Sequence, residues 1–287
     1  MDPFSLLWLF FLLASLQPAL SRQLLMTQRR RALSVISKER QATVITLIHR
    51  QEQMSLLGFP IVRYIDIDDA EGVLRAIHEA PPERPIEIVL HTPGGMVIAA
   101  RQIASALADH PDRVTAVVPH YAMSGGTLIA LAADEIVLDE HSSLGPVDPQ
   151  LGQYPAASLV EVAKLPGGHD DQTLIMADVG RKAIAQLETF TQQLLERHVP
   201  RDRAHEVAHL LASGVWTHDH PLQAADLRAL GLPVRVGVPA EERELMTLYR
   251  QPRQRTPAVE YVPGPPRRAE PTRRVPLPGS SQRGHVR

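Results

Sequence analysis

The stretch Pro119-His120-Tyr121-Ala122-Met123-Ser124-Gly125-Gly126-Thr127 decides how this chain is read. Just before it, Val114, Ala116, Val117 and Val118 form a short apolar run, the pattern of a parallel strand covered on both faces. Residues 127–133, just after it, are small and apolar enough for a helix inside a core. Ser124 therefore stands at a strand-to-helix turn, where its hydroxyl is lifted out of the sheet among helix N-terminal amides. That placement suits a nucleophile. It equally suits an ordinary helix N-cap, so the neighbouring segments must choose.

Working outward, the same alternation recurs. Apolar or β-branched runs at 42–48, 61–67, 86–90 and 135–138 read as strands. Helical spacing of apolar residues predicts helices over 70–80, capped by Asp68-Asp69, and over 97–108. Longer helices are expected over 173–198 and 203–212, with a short one over 221–230. Strand and helix alternating in this way imply parallel βαβ units and an α/β fold. No repeat of fixed period is present.

One strand before the serine, Thr92-Pro93-Gly94-Gly95 forms a second glycine turn. Both turns fall at the carboxyl ends of parallel strands, where open α/β sheets bind ligands. Attack of a serine on a carbonyl creates an oxyanion that needs preorganised backbone donors about 3 Å away. Glycine, lacking a Cβ, lets main-chain amides approach a substrate closely. Gly94 and Gly95 are thus oxyanion candidates, and the Gly125 amide, directly after the serine, is the natural second donor.

Thr-Pro-Gly-Gly followed about thirty residues later by Ala-Met-Ser-Gly-Gly resembles the Clp-fold serine peptidases, among them Clp protease and the signal peptide peptidase A group. The likeness runs through Asp134-Glu135-Ile136-Val137-Leu138 and the block 143–150, Ser-Leu-Gly-Pro-Val-Asp-Pro-Gln. With Asp171-Gln172-Thr173-Leu174 and Ala177-Asp178, it is closest in character to the membrane-anchored serine dehydrogenase proteinase family. Over residues 40–235 the resemblance implies a crotonase-like ββα spiral, proteolysis by an activated serine acting on polypeptides, and a closed homo-oligomer.

A serine nucleophile needs a general base. Clp protease has a histidine about 25 residues after its serine, but that count from Ser124 lands on Pro149, beside Asp148 and Val147. The signal peptide peptidase group uses a lysine on a later helix, and burial lowers a lysine pKa enough for that role. The chain has three lysines, Lys38, Lys164 and Lys182. Lys182, on a helix with Leu174, Ile175, Val179 and Ile184, is the first choice for a Ser–Lys dyad, with Lys164 second. Histidines 91, 120 and 141 remain alternatives. Asp148 either orients the base and lines the cleft or closes a turn.

An α/β-hydrolase esterase is a further reading, because residues 122–126 approximate its serine elbow. It requires an aspartate and then a histidine after the serine, for which His218 or His220 would serve, and late strands that the helix-rich second half is expected to lack. A non-proteolytic crotonase-fold scaffold or acyl-transfer enzyme would keep the oxyanion glycines without needing the serine. His218-Asp219-His220 and the His205/His209 pair lack a third ligand in register, so neither metal nor other cofactor is expected.

The ends differ from the middle. Residues 3–21 are uncharged and rich in Leu, Phe and Trp, and as a helix would reach roughly 28 Å. Arg22, Arg29, Arg30 and Arg31 follow, so this segment is expected to be a single-pass anchor with the body in the cytoplasm. Ala19-Leu20-Ser21 would suit signal cleavage, but the segment lacks a basic start. Residues 22–41 read as a basic juxtamembrane stalk and 42–250 as the peptidase domain. Residues 251–287 carry eight prolines, eight arginines and two glutamates, the composition of a disordered tail. A net charge of −2 gives no sign of a nucleic-acid partner, and the absence of cysteine excludes disulfides and thiol catalysis.

Overall fold

The computed structural model describes residues 3–49 and 63–249, with the side chains of residues 3–16, 18 and 19 outside the description. In chain order the elements are α1 (Pro3–Arg40), β1 (Thr43–Ile48), α2 (Ile67–Glu79), β2 (Ile86–His91), α3 (Val97–Ala108), β3 (Val114–Val118), β4 (Tyr121–Ala122) and α4 (Gly125–Leu131). They continue with β5 (Glu135–Leu138), β6 (Ser143–Leu144), β7 (Gln150–Leu151), β8 (Tyr154–Pro155), α5 (Ala156–Val162), α6 (Asp171–Leu195), α7 (Arg201–Ala212), α8 (Ala224–Ala229), β9 (Val234–Val236) and α9 (Ala240–Thr247).

The central sheet has the order β1-β2-β3-β5-β9, and all its pairings are parallel. Its apolar runs are explained by cover on both faces. Ile88, Leu90, Ala116, Val118, Ile136 and Leu138 point into the main core with α2, α3 and α4. The alternating Val89, Val117 and Val137 point the other way, into a smaller core with Ile36 of α1 and Leu245 and Met246 of α9.

Each of three successive strands runs into a short second-layer segment before the next helix. Thr92 after β2 bridges Ala122 of β4, and Ala122 pairs in turn with Leu144 of β6. Strand, short strand and helix in this succession form the expected α/β architecture with a parallel central sheet.

Three sequence expectations are corrected. The strand predicted over 61–67 has only its residues from 63 onward described, and there it reduces to one bridge, Ile65 to Gly95. Asp66 starts α2 early: its side chain accepts from the Asp69 amide while Asp69 accepts from the Asp66 amide, a reciprocal capping box. The second half does supply a late strand, since β9 adds to the sheet edge beside β5. Its three residues are too short to show a periodicity.

The segment expected as a stalk is the end of α1, a 38-residue helix that docks on the sheet. Arg40, at its end, lies 3.2 Å from both Glu241 and Glu242 of α9 and 3.9 Å from Glu87 of β2. Burial, reinforced by Glu242, pushes the Glu87 carboxyl up to about 8, so it holds its proton at neutral pH. The expected anchor, 3–21, has a helical backbone, but nearly all its side chains lie outside the description. Among the described residues no helix is long and apolar enough to cross a membrane. The tail at 251–287 also lies outside the described residues.

If the end of α1 belongs to the core, Ile36→Ala costs roughly 2–5 kcal/mol in urea unfolding, as for other buried large-to-small changes. Val35→Ala, at a residue 48% exposed against 1% for Ile36, leaves the midpoint nearly unchanged.

Candidate active site

Ser124 occupies the N-cap position of α4, yet its side chain makes no capping hydrogen bond. Its φ of 51° and ψ of −114° are costly for a residue with a Cβ, of order 1–3 kcal/mol. Such strain persists only where the surroundings impose it. Here Met123 donates its amide to the Thr92 carbonyl at 3.0 Å, and the Gly126 amide bonds back to the Met123 carbonyl at 2.8 Å. Thr127 holds the far side by donating to the Ala122 and Gly145 carbonyls, 2.9 Å each, and accepting from the Gly145 amide.

The Gly94-Gly95 turn packs directly against this elbow. A methyl group on Gly94 would sit 2.8 Å from the Ser124 Cβ and 3.2 Å from the Gly125 nitrogen. On Gly125 it would sit 3.6 Å from the Gly95 nitrogen, so the two expected oxyanion donors are neighbours. A methyl on Gly95 would strike the Ile65 backbone at 2.3 Å. The Ile65 amide bonds to the Gly94 carbonyl and the Met96 amide to the Ile65 carbonyl, each at 2.8 Å. That bridge leaves the Gly95 amide without a partner among the described residues.

Ser124, Gly95 and Gly125 line a cavity of about 200 Å³ together with Tyr64, Pro93, Val97, Leu128, Val147, Asp148, Leu187 and His218. Asp148 is only 3% exposed; one carboxylate oxygen lies 2.8 Å from His218 Nδ1 and the other accepts from Gln150 Nε2 at 2.6 Å. Backbone pairing makes this meeting possible across 70 residues. Leu144 and Leu222 exchange amide bonds, and Val147 donates to the Leu211 carbonyl, so the Asp148 segment and the loop after α7 are held side by side. The Asp148 hydrogen bond raises the His218 pKa above 6.5 despite partial burial, and fixes Nδ1 as the protonated nitrogen. Nε2 is left to accept a proton.

The expected bases lie elsewhere. Lys182 is 69% exposed and pairs with Asp178 one helical turn away, and Lys164 pairs with Glu161 at the surface. Neither lines the serine cavity. The apolar neighbours that suggested burial of Lys182 are themselves exposed, Leu174, Ile175 and Val179 among them. His91 is buried, its ring against His120 and Tyr121, while His120 and His141 are exposed. The structure thus joins Ser124, Gly95, Gly125 and Asp148 around one cavity that Lys182, Lys164, His91, His120 and His141 do not line. Sequence spacing does not pair His218 with Asp148; the one signal for it is the order serine, aspartate, histidine that the esterase reading requires.

A raised histidine pKa stabilises the fold fully below pH 6.5 and loses that contribution as pH rises through the raised value. Asp148→Asn is therefore expected to lower the His218 titration midpoint followed by NMR, and to destabilise the fold more below pH 6.5 than at pH 9.

The model of the ClpP-like SDH-type serine proteinases matches residues 1–274. Two uncharacterized proteins of Methanocaldococcus jannaschii are similar throughout: one is 47% identical, covering 92% of this chain and 96% of its own length. The other is 46% identical and covers 92% and 90% respectively. The chain belongs to the ClpP-like SDH-type serine proteinase family, which makes it a serine peptidase acting on polypeptides.

Proposed function

We propose that the protein is a membrane-anchored endopeptidase in which Ser124 is the nucleophile, His218 the general base and Asp148 its orienting partner. The shared cavity of Ser124, His218, Asp148, Gly95 and Gly125 carries this reading. With Asp148 holding Nδ1–H, Nε2 takes the Ser124 proton as Oγ attacks the peptide carbonyl carbon. The Gly95 and Gly125 amides receive the negative oxygen of the tetrahedral intermediate. The imidazolium then protonates the departing amine as the carbon–nitrogen bond breaks. Water, activated by the same nitrogen, hydrolyses the acyl-enzyme and restores Ser124. The lysine base expected from the resemblance is replaced by this pair, because a base must reach the serine proton and both lysines are held at the surface by acidic neighbours.

Val97, Leu128, Val147 and Leu187 make the cavity wall mainly apolar, which suits one modest apolar side chain of an extended peptide. The uncharged segment at 3–21 and the arginines after it support a single-pass anchor with the catalytic domain in the cytoplasm. The exposed apolar residues Leu174, Ile175 and Val179 on α6 suit a contact between copies in a homo-oligomer.

With fluorescent casein as substrate, Ser124→Ala and His218→Ala are expected to lower kcat/KM at least about 10²-fold, and Lys182→Ala and Lys164→Ala to leave it within about twofold. Full activity in His218→Ala with loss in either lysine variant would restore the dyad and remove the histidine. Alkaline carbonate washing should leave the full chain in the membrane pellet and release a form lacking residues 1–21. Release of both forms would refute the anchor.

A further inference from the structure

A second polar chain lies behind the glycine turn, outside the serine cavity. Thr92 is fully buried, and its hydroxyl oxygen accepts from the Gly94 amide at 3.1 Å. The same hydroxyl is 2.9 Å from Nδ1 of buried His49, whose Nε2 is 3.0 Å from an Asp69 oxygen. Asp69 is itself held by the capping box that begins α2. None of the three side chains touches the cavity lined by Ser124.

Proton counting gives the chain one direction. An ionised Asp69 only accepts, so a neutral His49 carries its hydrogen on Nε2 and accepts at Nδ1. The single Thr92 hydroxyl proton goes to Nδ1, which leaves the oxygen lone pairs to the Gly94 amide. In the opposite polarity the hydroxyl would turn to the Gly94 carbonyl, 3.4 Å away and already occupied by the Ile65 amide at 2.8 Å. The Thr92 backbone carbonyl meanwhile accepts from Met123, next to the nucleophile, and its methyl group lies over Gly126. One residue therefore braces both donor turns.

We propose that Thr92 and His49 are positioning residues of the oxyanion hole, the Asp69–His49–Thr92 chain holding the Gly94-Gly95 turn in the geometry the transition state requires. The inference rests on Ser124 being the nucleophile. Burial pushes the His49 pKa below its ordinary value against the pull of Asp69 and Asp66 and with the help of Arg63, which keeps the neutral form at neutral pH.

A transition-state role separates kcat from KM. With fluorescent casein, Thr92→Val is expected to lower kcat about 10–100-fold with KM within about twofold, somewhat less than loss of a whole oxyanion donor. Affinity for a peptide boronate should fall in parallel, and Thr92→Ser, which keeps the hydroxyl, should recover most of the rate. Circular dichroism checks folding; if Thr92→Val is unfolded, His49→Phe takes its place with the same expectation. Wild-type kcat in the folded variant, a loss carried by KM, or a serine variant as slow as the valine variant overturns the proposal. Ser124→Ala, measured alongside, separates the two readings: turnover surviving in it defeats the nucleophile assignment itself.

Discussion

Ser124 is held at a positive φ that its side chain disfavours, and the surrounding structure is arranged to keep it there. The elbow is fastened on one side through Thr92 and on the other through Thr127 and Gly145. Because Gly94 lacks a Cβ, a second turn can lie against the elbow with no side chain between them. Gly95, Gly125 and Ser124 then line one small cavity. The strain is an expense met by burial, since α4, which follows the serine directly, is buried along its whole length.

The parallel sheet supplies the frame for this contact. Strands β2 and β3 are adjacent and in register, so the loops at their carboxyl ends emerge side by side. The second-layer bridges between Thr92 and Ala122, and between Ala122 and Leu144, carry that adjacency forward to the Asp148 segment. The site is consequently mounted on backbone pairings more than on loop flexibility. The opposite face of the sheet is closed by the end of α1 and by α9, which ties the N-terminal helix to the catalytic body through Arg40 and Glu242.

The base illustrates where reading residues in order breaks down. Lys182 follows apolar residues at helical spacing, but on α6 Leu174, Ile175 and Val179 face outward. A moderately amphipathic helix does not state which of its faces meets the core, and an exposed apolar stripe reads the same way as a buried one. Where Clp protease has its histidine, this chain has Pro149, and the neighbouring Asp148 meets an imidazole, His218, from a loop 70 residues further on. The serine–aspartate–histidine order was visible, but only within a fold the chain does not adopt.

Local information was enough for much of the rest. Alternation of apolar runs located β1, β2, β3 and β5 and helix α3 closely, because burial on both faces leaves a continuous apolar signature in short strands. Glycine content marks both turns, since only a residue without a Cβ tolerates their closeness. The early start of α2 was hidden because the Asp66–Asp69 box overrides the strand-like alternation around Ile65. What the sequence determined by itself was the α/β frame and the two glycine turns, each marked by residues within a few positions of it. What only the tertiary structure decided was the pairing of His218 with Asp148 and of His49 with Thr92, because such contacts depend on which distant segments the sheet brings together.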